Sequence, residues 1–514
     1  MEISALCIGL ILSLGLCELN SALALNSSED DVKQRAGHIE DRTGAGVSTQ
    51  TSSVKCKLQG TTRLPVFSMD GDYVIGGVFS IHHYMHTVKH NYTTMPEPLR
   101  CTGSIKTRDL RFSRAMIFAI KEINNSTELL PGIKLGYQIY DSCASVTVAV
   151  HVAFQLSNGL DPVFYTGDNC SQSGMVKAVV GETGSSPSIS MSRIIGPFNI
   201  PQVSHLATCA CLSDKQQYPN FFRTVPSDQF QAEALAKLVK HFGWTWIGAV
   251  RSDSDYGNNG MASFLDAAHR EGICVEYSES FYRTHPRSRI QKVADVIRRS
   301  TAMVVVAFAA FGEVRLLLEE LALEPSPPRQ WIGSEAWVTD TELLRFSFCA
   351  GAIGFGIQKS VIPGAATDER VCDGTEDIKT LQSPYTDTSQ LRITNMVYKA
   401  VYAIAHAIHK AVCQKTNSTT QCDKFTRIES KEVLTQLKKV NFSRNGYDVS
   451  FDANGDPVAR YELVNWQKSE SGSIEMVTVG QYDASLPVGQ KFRINRNLTW
   501  VDGGTQVRST KAIM

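Results

Sequence analysis

Short apolar strands and amphipathic helices alternate along most of this chain, and that alternation restricts the fold more than any other feature. From Tyr73 a predicted strand, "YVIGGVFSI", precedes a helix, "RDLRFSRAMIFAIKEINN", and the strand "IKLGYQIYD" follows. A further helix and the strand "MVKAVVGETG" complete this first series. Parallel strands need crossover connections that are usually helices, so the order predicts a parallel sheet covered on both faces.

A second alternating series begins near residue 228 and extends from the helix "DQFQAEALAKLVKHFG" to the helix "GEVRLLLEELA". The two series predict two doubly wound α/β lobes joined by a hinge, with a cleft between them. After about residue 385 long helices return and precede short antiparallel strands, which predicts that later chain completes the first lobe. Ligands bind such sheets at the carboxyl ends of the strands, where "GETGSS" and "SDSDYG" are placed.

The first residues predict a secreted chain. "MEISALCIGLILSLGLCELNSALA" has an apolar core followed by small residues, as in a signal peptide, although its start lacks Lys and Arg. Of 13 cysteines, two lie in this leader and the others are scattered without Cys-x-x-Cys pairs, as disulfide-bonded cysteines would be. Sequons for glycosylation occur at Asn26, Asn91, Asn124, Asn125, Asn169, Asn417, Asn441 and Asn497, and glycans are expected at Asn91, Asn125, Asn417, Asn441 and Asn497.

The predicted organisation divides the chain into seven segments. These are a signal peptide over 1–24, a disordered segment over 25–70, the first part of lobe 1 over 71–225, lobe 2 over 226–361, the completion of lobe 1 over 362–466, the completion of lobe 2 over 467–505 and a tail over 506–514. The longest apolar run after the leader, "AMVVVAFAAFG", is about half of what a membrane helix needs and predicts a buried strand. With 51 basic and 51 acidic residues, the chain gives no reason to expect a nucleic-acid partner.

The stretch "AVVGETGSSPSIS", residues 178–190, ends a predicted strand in glycine and hydroxyl residues and then begins a helix. Free backbone N–H groups and the helix dipole favour an anion at such a turn, either a phosphate or a carboxylate. A Walker phosphate loop needs Lys followed by Ser or Thr after its last glycine, whereas Gly184 precedes Ser185 and Ser186. The remaining alternatives are a carboxylate site and a tight turn that binds nothing.

Several motifs in order together resemble the extracellular Venus-flytrap domain of class C G-protein-coupled receptors. They include "AMIFAIKEIN", "LLPGIKLGYQIYDSC", "AVVGETGSS", "IPQVSHLAT", "SDSDYG" and "GSEAW". The segment "ATCACLSDKQQYPNFFRTVPSD" is most similar to fish olfactory receptors of the type 2 vomeronasal group, with calcium-sensing and taste receptors as related groups. The resemblance extends from about Asp72 to Asp502. It implies a bilobed fold of the type I periplasmic-binding-protein kind that closes on its ligand.

The resemblance also implies a site for an L-amino acid in the cleft. The resemblance implies that Ser185 contacts the ligand's carboxylate and Thr208 its zwitterionic group. It implies the Leu206 carbonyl, Asp228 and Tyr256 for the ammonium. Glu335, with Ser334 beside it, is the implied acid of the second lobe, and Arg108 is implied for the ligand's side chain or an anion. Electrostatics supports this set, because a zwitterion that leaves water needs donors at one end and acceptors at the other. The simpler interpretations are a helix cap for Ser185 or Asp228, a turn for Thr208 and packing for Tyr256.

By the same resemblance Cys101 pairs with Cys143 and Cys413 with Cys422. Cys170 lies near an inter-subunit cysteine of the family, and Cys56, Cys209 and Cys211 can supply one further bridge whose pairing stays open. A family helix and loop that should follow Gly364 are expected to be missing, as are the cysteine-rich and seven-helix domains. Cys274 and Cys372 are therefore expected to lack their usual partners, and this form is expected to fold less well than full-length relatives.

The expected function is the ligand-binding ectodomain of a class C chemosensory receptor at the plasma membrane. The resemblance implies a homodimer or heterodimer with another receptor subunit, and a G protein reached only through the membrane part that this chain lacks. The alternative is a secreted amino-acid-binding decoy or splice form. An enzyme is not expected, because Ser185 has no nearby His with a fixed partner and HExxH, Walker lysine and GxGxxG motifs are absent. No cofactor or metal ligand is assigned; Ca²⁺ is a candidate modulator, since "SDSDYG" is acidic and the related receptors use divalent ions.

Overall fold

In a computed structural model of the chain, residues 63–86, 93, 98–158, 176–360, 362, 391–416, 419–444 and 447–501 are described. All of them belong to one compact unit, Cys56–Met514. Several predicted features lie outside the described residues: the signal peptide, the sequons at Asn26, Asn91, Asn169 and Asn417, the cysteines Cys56, Cys170 and Cys372, the segment after Gly364 and the tail over 506–514.

The first lobe is built on a six-stranded sheet. Its strands are β1 (Phe67–Met69), β2 (Tyr73–Phe79), β5 (Leu135–Asp141), β6 (Val176–Val180), β7 (Gln202–Ser204) and β8 (Phe221–Arg223), while β3 (His82–Met85) and β4 (Cys101–Ile105) form a separate hairpin. The sheet order is β1-β5-β2-β6-β7-β8, and all pairs are parallel except β1 with β5. The helices of this lobe are α1 (Thr107–Asn124), α2 (Val146–Asn158), α3 (Ser185–Ile195), α9 (Arg392–Val412) and α10 (Ser430–Leu437). Two further hairpins join β14 (Cys413–Thr416) to β15 (Thr419–Cys422) and β16 (Asn441–Arg444) to β17 (Tyr447–Ser450).

The second lobe is built on an eight-stranded sheet. Its strands are β9 (Trp246–Ser252), β10 (Cys274–Phe281), β11 (Val304–Phe308), β12 (Gln330–Gly333), β13 (Ile353–Ile357), β18 (Arg460–Lys468), β19 (Ile474–Asp483) and β20 (Phe492–Ile494). The sheet order is β10-β9-β11-β12-β13-β18-β19-β20, parallel as far as β13 and antiparallel beyond it. The helices are α4 (Asp228–His241), α5 (Asp255–Arg270), α6 (Arg287–Arg299), α7 (Phe311–Leu321) and α8 (Glu335–Val338). The predicted bilobed α/β fold is confirmed.

Two segments differ from the predicted boundaries. Phe67–Met69 falls in the segment predicted to be disordered, yet it forms an edge strand because Phe67 and Met69 pack against the core while Ser68 is exposed. Arg460–Lys468 lies mostly in the segment predicted to complete lobe 1, yet it pairs with Ile353–Ile357 of the second sheet. Leu463 and Trp466 of this strand are fully buried, so burial of apolar side chains draws the strand into the second lobe.

The order of the described elements takes the chain between the lobes three times: at residues 224–227, between Ile357 and Arg392, and at residues 451–459. Hydrogen bonds tie the first of these crossings to the third and to α9. The buried guanidinium of Arg223, just before the first crossing, pairs with Asp456 of the third at 2.6 Å. The Thr224 hydroxyl donates to the Met396 carbonyl of α9 at 2.8 Å. Motion of one lobe against the other must therefore pass through a connected set of residues.

Disulfides close three loops in the described chain. The structure contains the pairs Cys101–Cys143 and Cys413–Cys422 that the resemblance implied, with Cα separations of 5.4 and 4.0 Å. A third bridge joins Cys209 to Cys211, which sequence reasoning had left open. Cys274 is an exposed free thiol, and Cys349, which sequence reasoning did not consider, is a buried one. None of the described helices is long and apolar enough to cross a membrane.

Candidate functional site

The turn after β6 places Ser185 at the start of α3. Gly184 occupies the N-cap position, and the Ser185 hydroxyl instead accepts a hydrogen bond from the Cys209 backbone N–H at 3.2 Å. Ser185 is 4% exposed. The simple interpretation of Ser185 as a helix cap therefore does not hold, and its hydroxyl joins this turn to the loop that carries Thr208.

A buried carboxylate that sequence reasoning missed supports this turn. Glu182 is fully buried and accepts hydrogen bonds from the Ser80 and Ser142 hydroxyls and the Gly184 N–H at 2.5–2.6 Å. Burial raises the pKa of the Glu182 carboxyl, although these hydrogen bonds oppose the rise. At Gly181 φ is +131°, and an added Cβ would lie 2.3 Å from a β2 carbonyl oxygen, so the turn requires glycine.

Thr208 lies on the loop that follows β7, with Leu206 half-buried on the same loop. Arg223 holds this loop in place, because its guanidinium donates hydrogen bonds to the Ala207 and Cys209 carbonyls at 3.1 and 2.8 Å. These two carbonyls flank Thr208, so the position of its side chain depends on Arg223. Sequence reasoning did not identify Arg223, because nothing local to "FFRTVPSD" shows which carbonyls it meets.

Asp228 is the first residue of α4 and is fully buried. The N-cap is Ser227, whose hydroxyl accepts a backbone hydrogen bond, so capping is not the role of Asp228. Oδ1 accepts a hydrogen bond from Gln231 Nε2 at 3.2 Å, while Oδ2 has no hydrogen-bond partner among the described residues. Burial raises the pKa of Asp228 to about 7, and the nearby Thr208 hydroxyl and Arg223 charge only partly oppose this rise.

Gln231 connects Asp228 to the second lobe's acid. Its side-chain oxygen accepts a hydrogen bond from the Glu335 backbone N–H at 2.6 Å, while its amide nitrogen donates to Asp228. Glu335 is 5% exposed, and burial raises its pKa against the opposing charges of Arg108 and Arg392. The Gln231 amide therefore ties the Asp228 carboxyl group to the backbone at the start of α8, a role that sequence reasoning missed.

Tyr256 lies in the first turn of α5. Its hydroxyl donates to the Ser334 hydroxyl at 2.9 Å, and its ring lies 5.2 Å from the Phe308 ring. The next residue, Gly257, has no room for a Cβ, which would lie 2.1 Å from the Ser252 carbonyl oxygen. This close approach of α5 to β9 sets the depth at which the Tyr256 ring enters the site.

Arg108 lies in the first turn of α1, at the other end of the candidate site. Its guanidinium lies 3.5 Å from the Asp109 carboxylate and 3.9 Å from the Asp340 carboxylate of the second lobe. Burial lowers the pKa of Arg108, but the charges of these acids and of Glu335 together raise it above its usual value. The guanidinium is therefore held by carboxylates of both lobes.

Contacts connect seven of the eight predicted residues across the cleft. Ser185 is hydrogen-bonded to the loop that carries Leu206 and Thr208, and the Thr208 carbonyl accepts from the Asp228 N–H at 2.8 Å. Gln231 is hydrogen-bonded to both Asp228 and the Glu335 backbone. Ser334, next to Glu335, is hydrogen-bonded to Tyr256. Arg108 is linked to the group through its charge interaction with Glu335, its contact with Asp340, and Asp109, whose carboxylate accepts from the Thr183 hydroxyl of the Ser185 turn at 3.1 Å. Two further contacts bridge the lobes: Asp255 N–H to Ser186 Oγ at 3.4 Å, and Arg283 to the Ala144 carbonyl at 2.9 Å.

One histidine, His205, is buried beside the turn that carries Ser185, with Nε2 3.3 Å from the Thr183 hydroxyl. His205 lies between the rings of Phe79 and Phe112, with centroid distances of 5.2 and 5.3 Å. Burial lowers the pKa of His205 to about 3, so the imidazole stays neutral between the two rings and the Thr183 hydroxyl.

Two groups of side chains in the described chain have the spacing of metal ligands. They are His82 with Cys101 and Asp141, and His409 with Cys413 and Cys422. All three cysteines are disulfide-bonded, so none offers a thiolate. In "SDSDYG", Ser254 caps α5 and the Asp253 carboxylate accepts from Asn258, which accounts for these polar groups without an ion.

A family model described as the receptor family ligand binding region matches residues 111–469. The extracellular calcium-sensing receptor of Mus musculus is 33% identical over 498 residues, covering 83% of this chain and 46% of that receptor. Taste receptor type 1 member 1 of Homo sapiens is 30% identical over 437 residues, covering 79% of this chain and 51% of the receptor.

A fish protein is also similar. The G-protein coupled receptor family C group 6 member A of Carassius auratus is 30% identical over 448 residues, covering 79% of this chain and 50% of that protein. The chain spans about half the length of the curated relatives it matches. These relatives are receptors, which confirms the expectation that the chain is not an enzyme.

Proposed function

Because this chain belongs to the family of receptor ligand-binding regions, as an ectodomain of the class C G-protein-coupled receptor type, we propose that it binds a free L-amino acid between its lobes. The carboxylate of the ligand meets the Ser185 and Thr208 hydroxyls. The ammonium meets Asp228, the Leu206 carbonyl and the ring of Tyr256.

Asp228 carries this proposal. Its carboxyl group is fully buried, and one oxygen has no hydrogen-bond partner among the described residues. A buried polar atom in that state costs about 1–3 kcal/mol, and more when it is charged. An ammonium group supplies both the missing hydrogen bond and the opposite charge, whereas a phosphate or a neutral apolar ligand supplies neither.

The second lobe supports the same ligand. Glu335 and Ser334 come from α8 and its N-cap, and Tyr256 comes from α5, so a molecule that contacts them and Ser185 contacts both lobes. Such a molecule binds the closed arrangement better than an open one and shifts the population of states accordingly. In a complete receptor at the plasma membrane, that shift is passed to a second subunit and then to a G protein.

A second candidate function uses the same cleft to bind the amino acid but passes no signal to a membrane domain. As a secreted decoy or splice form, the domain would hold the amino acid away from membrane-bound receptors. Both functions require the same ligand site, so the ligand test comes first.

Isothermal titration of the secreted protein with a panel of common L-amino acids tests the proposal. We expect heat from one chemical group of amino acids, and loss of that heat in the double variant Ser185→Ala with Thr208→Ala. The matched control replaces the exposed hydroxyls Thr435→Ala and Ser471→Ala and should bind like the unchanged protein. Absence of binding across the panel, or equal binding by the folded cleft variant, would overturn the proposal.

A further inference from the structure

A cavity of about 280 Å³ lies at the hinge, and none of the eight candidate ligand residues lines it. Its walls include parts of all three crossings between the lobes, at Thr224 and Pro226, at Gln358, and at Pro457 and Val458. The remaining wall comes from α9 and from the β16–β17 hairpin of the first lobe. The volume of this hinge cavity is just below the range of about 300–1,000 Å³ that is typical of small-molecule pockets, so it suits one compact group.

The charged side chains that line the hinge cavity are already compensated. Arg460 lies 3.2 Å from the Asp483 carboxylate. The Asp448 carboxylate accepts a hydrogen bond from the Ser443 hydroxyl, and Lys399 has a partner of its own. Among the described residues, the cavity therefore offers no free charge of either sign, and a neutral occupant fits it best.

The rest of the lining is apolar or neutral and polar. Val458 is 50% exposed at the cavity wall, although it is apolar. Asn395 is 4% exposed, and its amide nitrogen has no hydrogen-bond acceptor in the part of the chain that the structure describes. The other apolar side chains of the lining are Pro226, Ile357, Met396, Val449, Phe451 and Pro457. A sugar ring matches such a lining, because its C–H face packs on apolar groups and its oxygens accept hydrogen bonds.

Asn441 lies at this cavity and begins a sequon. It is the first residue of β16, it is exposed, and it lines the cavity. The next side chain, Phe442, stacks on the His406 ring of α9 with a centroid distance of 4.1 Å, which fixes the strand against the first lobe. A sugar attached to Asn441 is tethered beside the cavity, so its effective concentration there is high, in the mM range or above, on the order expected for short linkers.

We propose that the first N-acetylglucosamine of a glycan on Asn441 occupies the hinge cavity and stabilises the arrangement of the lobes seen in this structure. In the attachment step Asn441 Nδ2 loses a proton and forms the bond to C1 of the sugar, and the diphosphate of a lipid-linked donor leaves. The sugar ring covers Val458, and the carbonyl of its acetamide group accepts from the Asn395 amide.

The link between this sugar and ligand binding rests on the proposed function. Lobe movement is absorbed by backbone changes at the crossings, so the shape of the hinge cavity differs between arrangements of the lobes. The arrangement that contains the cavity also has contacts across the cleft, such as that between Arg108 and Asp340. A sugar that fits the cavity therefore favours the arrangement in which both lobes contact the amino acid, and it raises the affinity for that ligand.

Release of glycans from the folded glycoprotein by a peptide N-glycosidase tests the position of the sugar without any amino acid. The enzyme hydrolyses the bond between asparagine and the first sugar and leaves aspartate, so mass spectrometry reports each site separately. We expect release at Asn441 to be at least about tenfold slower in the folded than in the denatured protein, because the sugar must first leave the cavity. The exposed Asn125 and Asn497 are the comparison sites and should show much less slowing.

A change in the cavity wall sharpens this measurement. Val458→Ser removes apolar contact from the sugar and should speed release at Asn441 in the folded protein by about threefold. Val488→Ser is the matched control, because Val488 is 91% exposed and lies outside the cavity lining, and it should leave the rate unchanged.

Calorimetric titration with the same panel of common L-amino acids measures the effect on the cleft. Asn441→Gln removes the glycan and should weaken amino-acid binding by about fivefold. Ser443→Thr keeps the sequon and should bind like the unchanged protein, as should Asn497→Gln, which removes a glycan elsewhere. If Asn441→Gln does not fold, exhaustive enzymatic release from the folded protein gives the same readout.

Two results would overturn the position of the sugar: no glycan on Asn441, or release at Asn441 that is as fast in the folded as in the denatured protein. Equal amino-acid affinities of the Asn441→Gln and Ser443→Thr proteins would overturn the effect on the cleft. If no amino acid of the panel binds either protein, the proposed function fails, while the release rates still decide whether the sugar occupies the hinge cavity.

Discussion

The burial of Asp228 and the binding of its proposed ligand favour opposite protonation states of its carboxyl group. The apolar surroundings favour the neutral acid and raise its pKa to about 7, from a usual value near 3.8, while an ammonium ligand requires the carboxylate. Between these two values the folded protein binds the proton more tightly than the unfolded chain does. The free energy of unfolding should therefore fall as the pH rises from about 4 to about 7, by up to about 4 kcal/mol from this group.

The variant Asp228→Asn isolates that contribution, because the buried acids Glu182 and Glu335 titrate in both proteins. We expect urea unfolding to give a difference in stability between variant and unchanged protein that grows with pH over this range. Amino-acid affinity in the unchanged protein should rise between about pH 6 and pH 8 as the carboxylate forms, and the variant should bind weakly throughout. The exposed Asp266→Asn is the control and should leave both profiles in place; a pH-independent difference for Asp228→Asn would contradict the raised pKa.

The loop after β7 depends on an ion pair between two residues that are far apart in the sequence. Arg223 and Asp456 are both buried, lie 2.6 Å apart and are separated by 233 residues. Replacing Arg223→Met leaves Asp456 as a buried charge without its partner and frees the carbonyls on either side of Thr208. We expect a loss of about 3–5 kcal/mol in unfolding free energy, and weaker amino-acid binding in the fraction that folds.

The exposed pair Arg270 with Asp266 supplies the matched control, since Arg270→Met removes an ion pair of the same type from the surface of α5. Its cost should stay below about 1 kcal/mol in the same urea titration. The double variant Arg223→Met with Asp456→Asn should recover part of the loss, because no charge then remains uncompensated. Equal losses for Arg223→Met and Arg270→Met would show that the crossing does not depend on this pair.

Features that depend on residues close together in the sequence could be predicted, whereas features that depend on contacts between distant residues could not. The alternation of strands and helices follows from residue periodicity, so both lobes and the turn at Ser185 were predictable. Glu182, Arg223 and Gln231 were missed because their partners are brought to them by folding. The strand Arg460–Lys468 joins the second sheet beside Ile353–Ile357, a pairing over more than a hundred residues that no local pattern specifies.

Among the described residues away from the hinge, three polar contacts link the two lobes across the cleft, and each is modest. They are Arg108 with Asp340 at 3.9 Å, Asp255 with Ser186 at 3.4 Å and Arg283 with the Ala144 carbonyl at 2.9 Å. Partly exposed polar contacts of this kind contribute about 0–1 kcal/mol each. We therefore expect the closed arrangement to be only weakly favoured over open ones without a ligand, and a ligand that contacts both lobes to stabilise the closed arrangement specifically.

Small-angle X-ray scattering tests this balance between open and closed arrangements. If the proposed amino acid binds, it should lower the radius of gyration of the protein, because its two charged ends tie Ser185 of one lobe to Glu335 and Tyr256 of the other. Arg108→Ala should raise the radius of gyration of the ligand-free protein, since it removes one of the three contacts, and saturating amino acid should restore the compact value. Cleft variant Ser185→Ala with Thr208→Ala should stay at its ligand-free value. A radius of gyration that does not change while calorimetry reports full occupancy would mean that the ligand binds one lobe only, and closure could not be the signal.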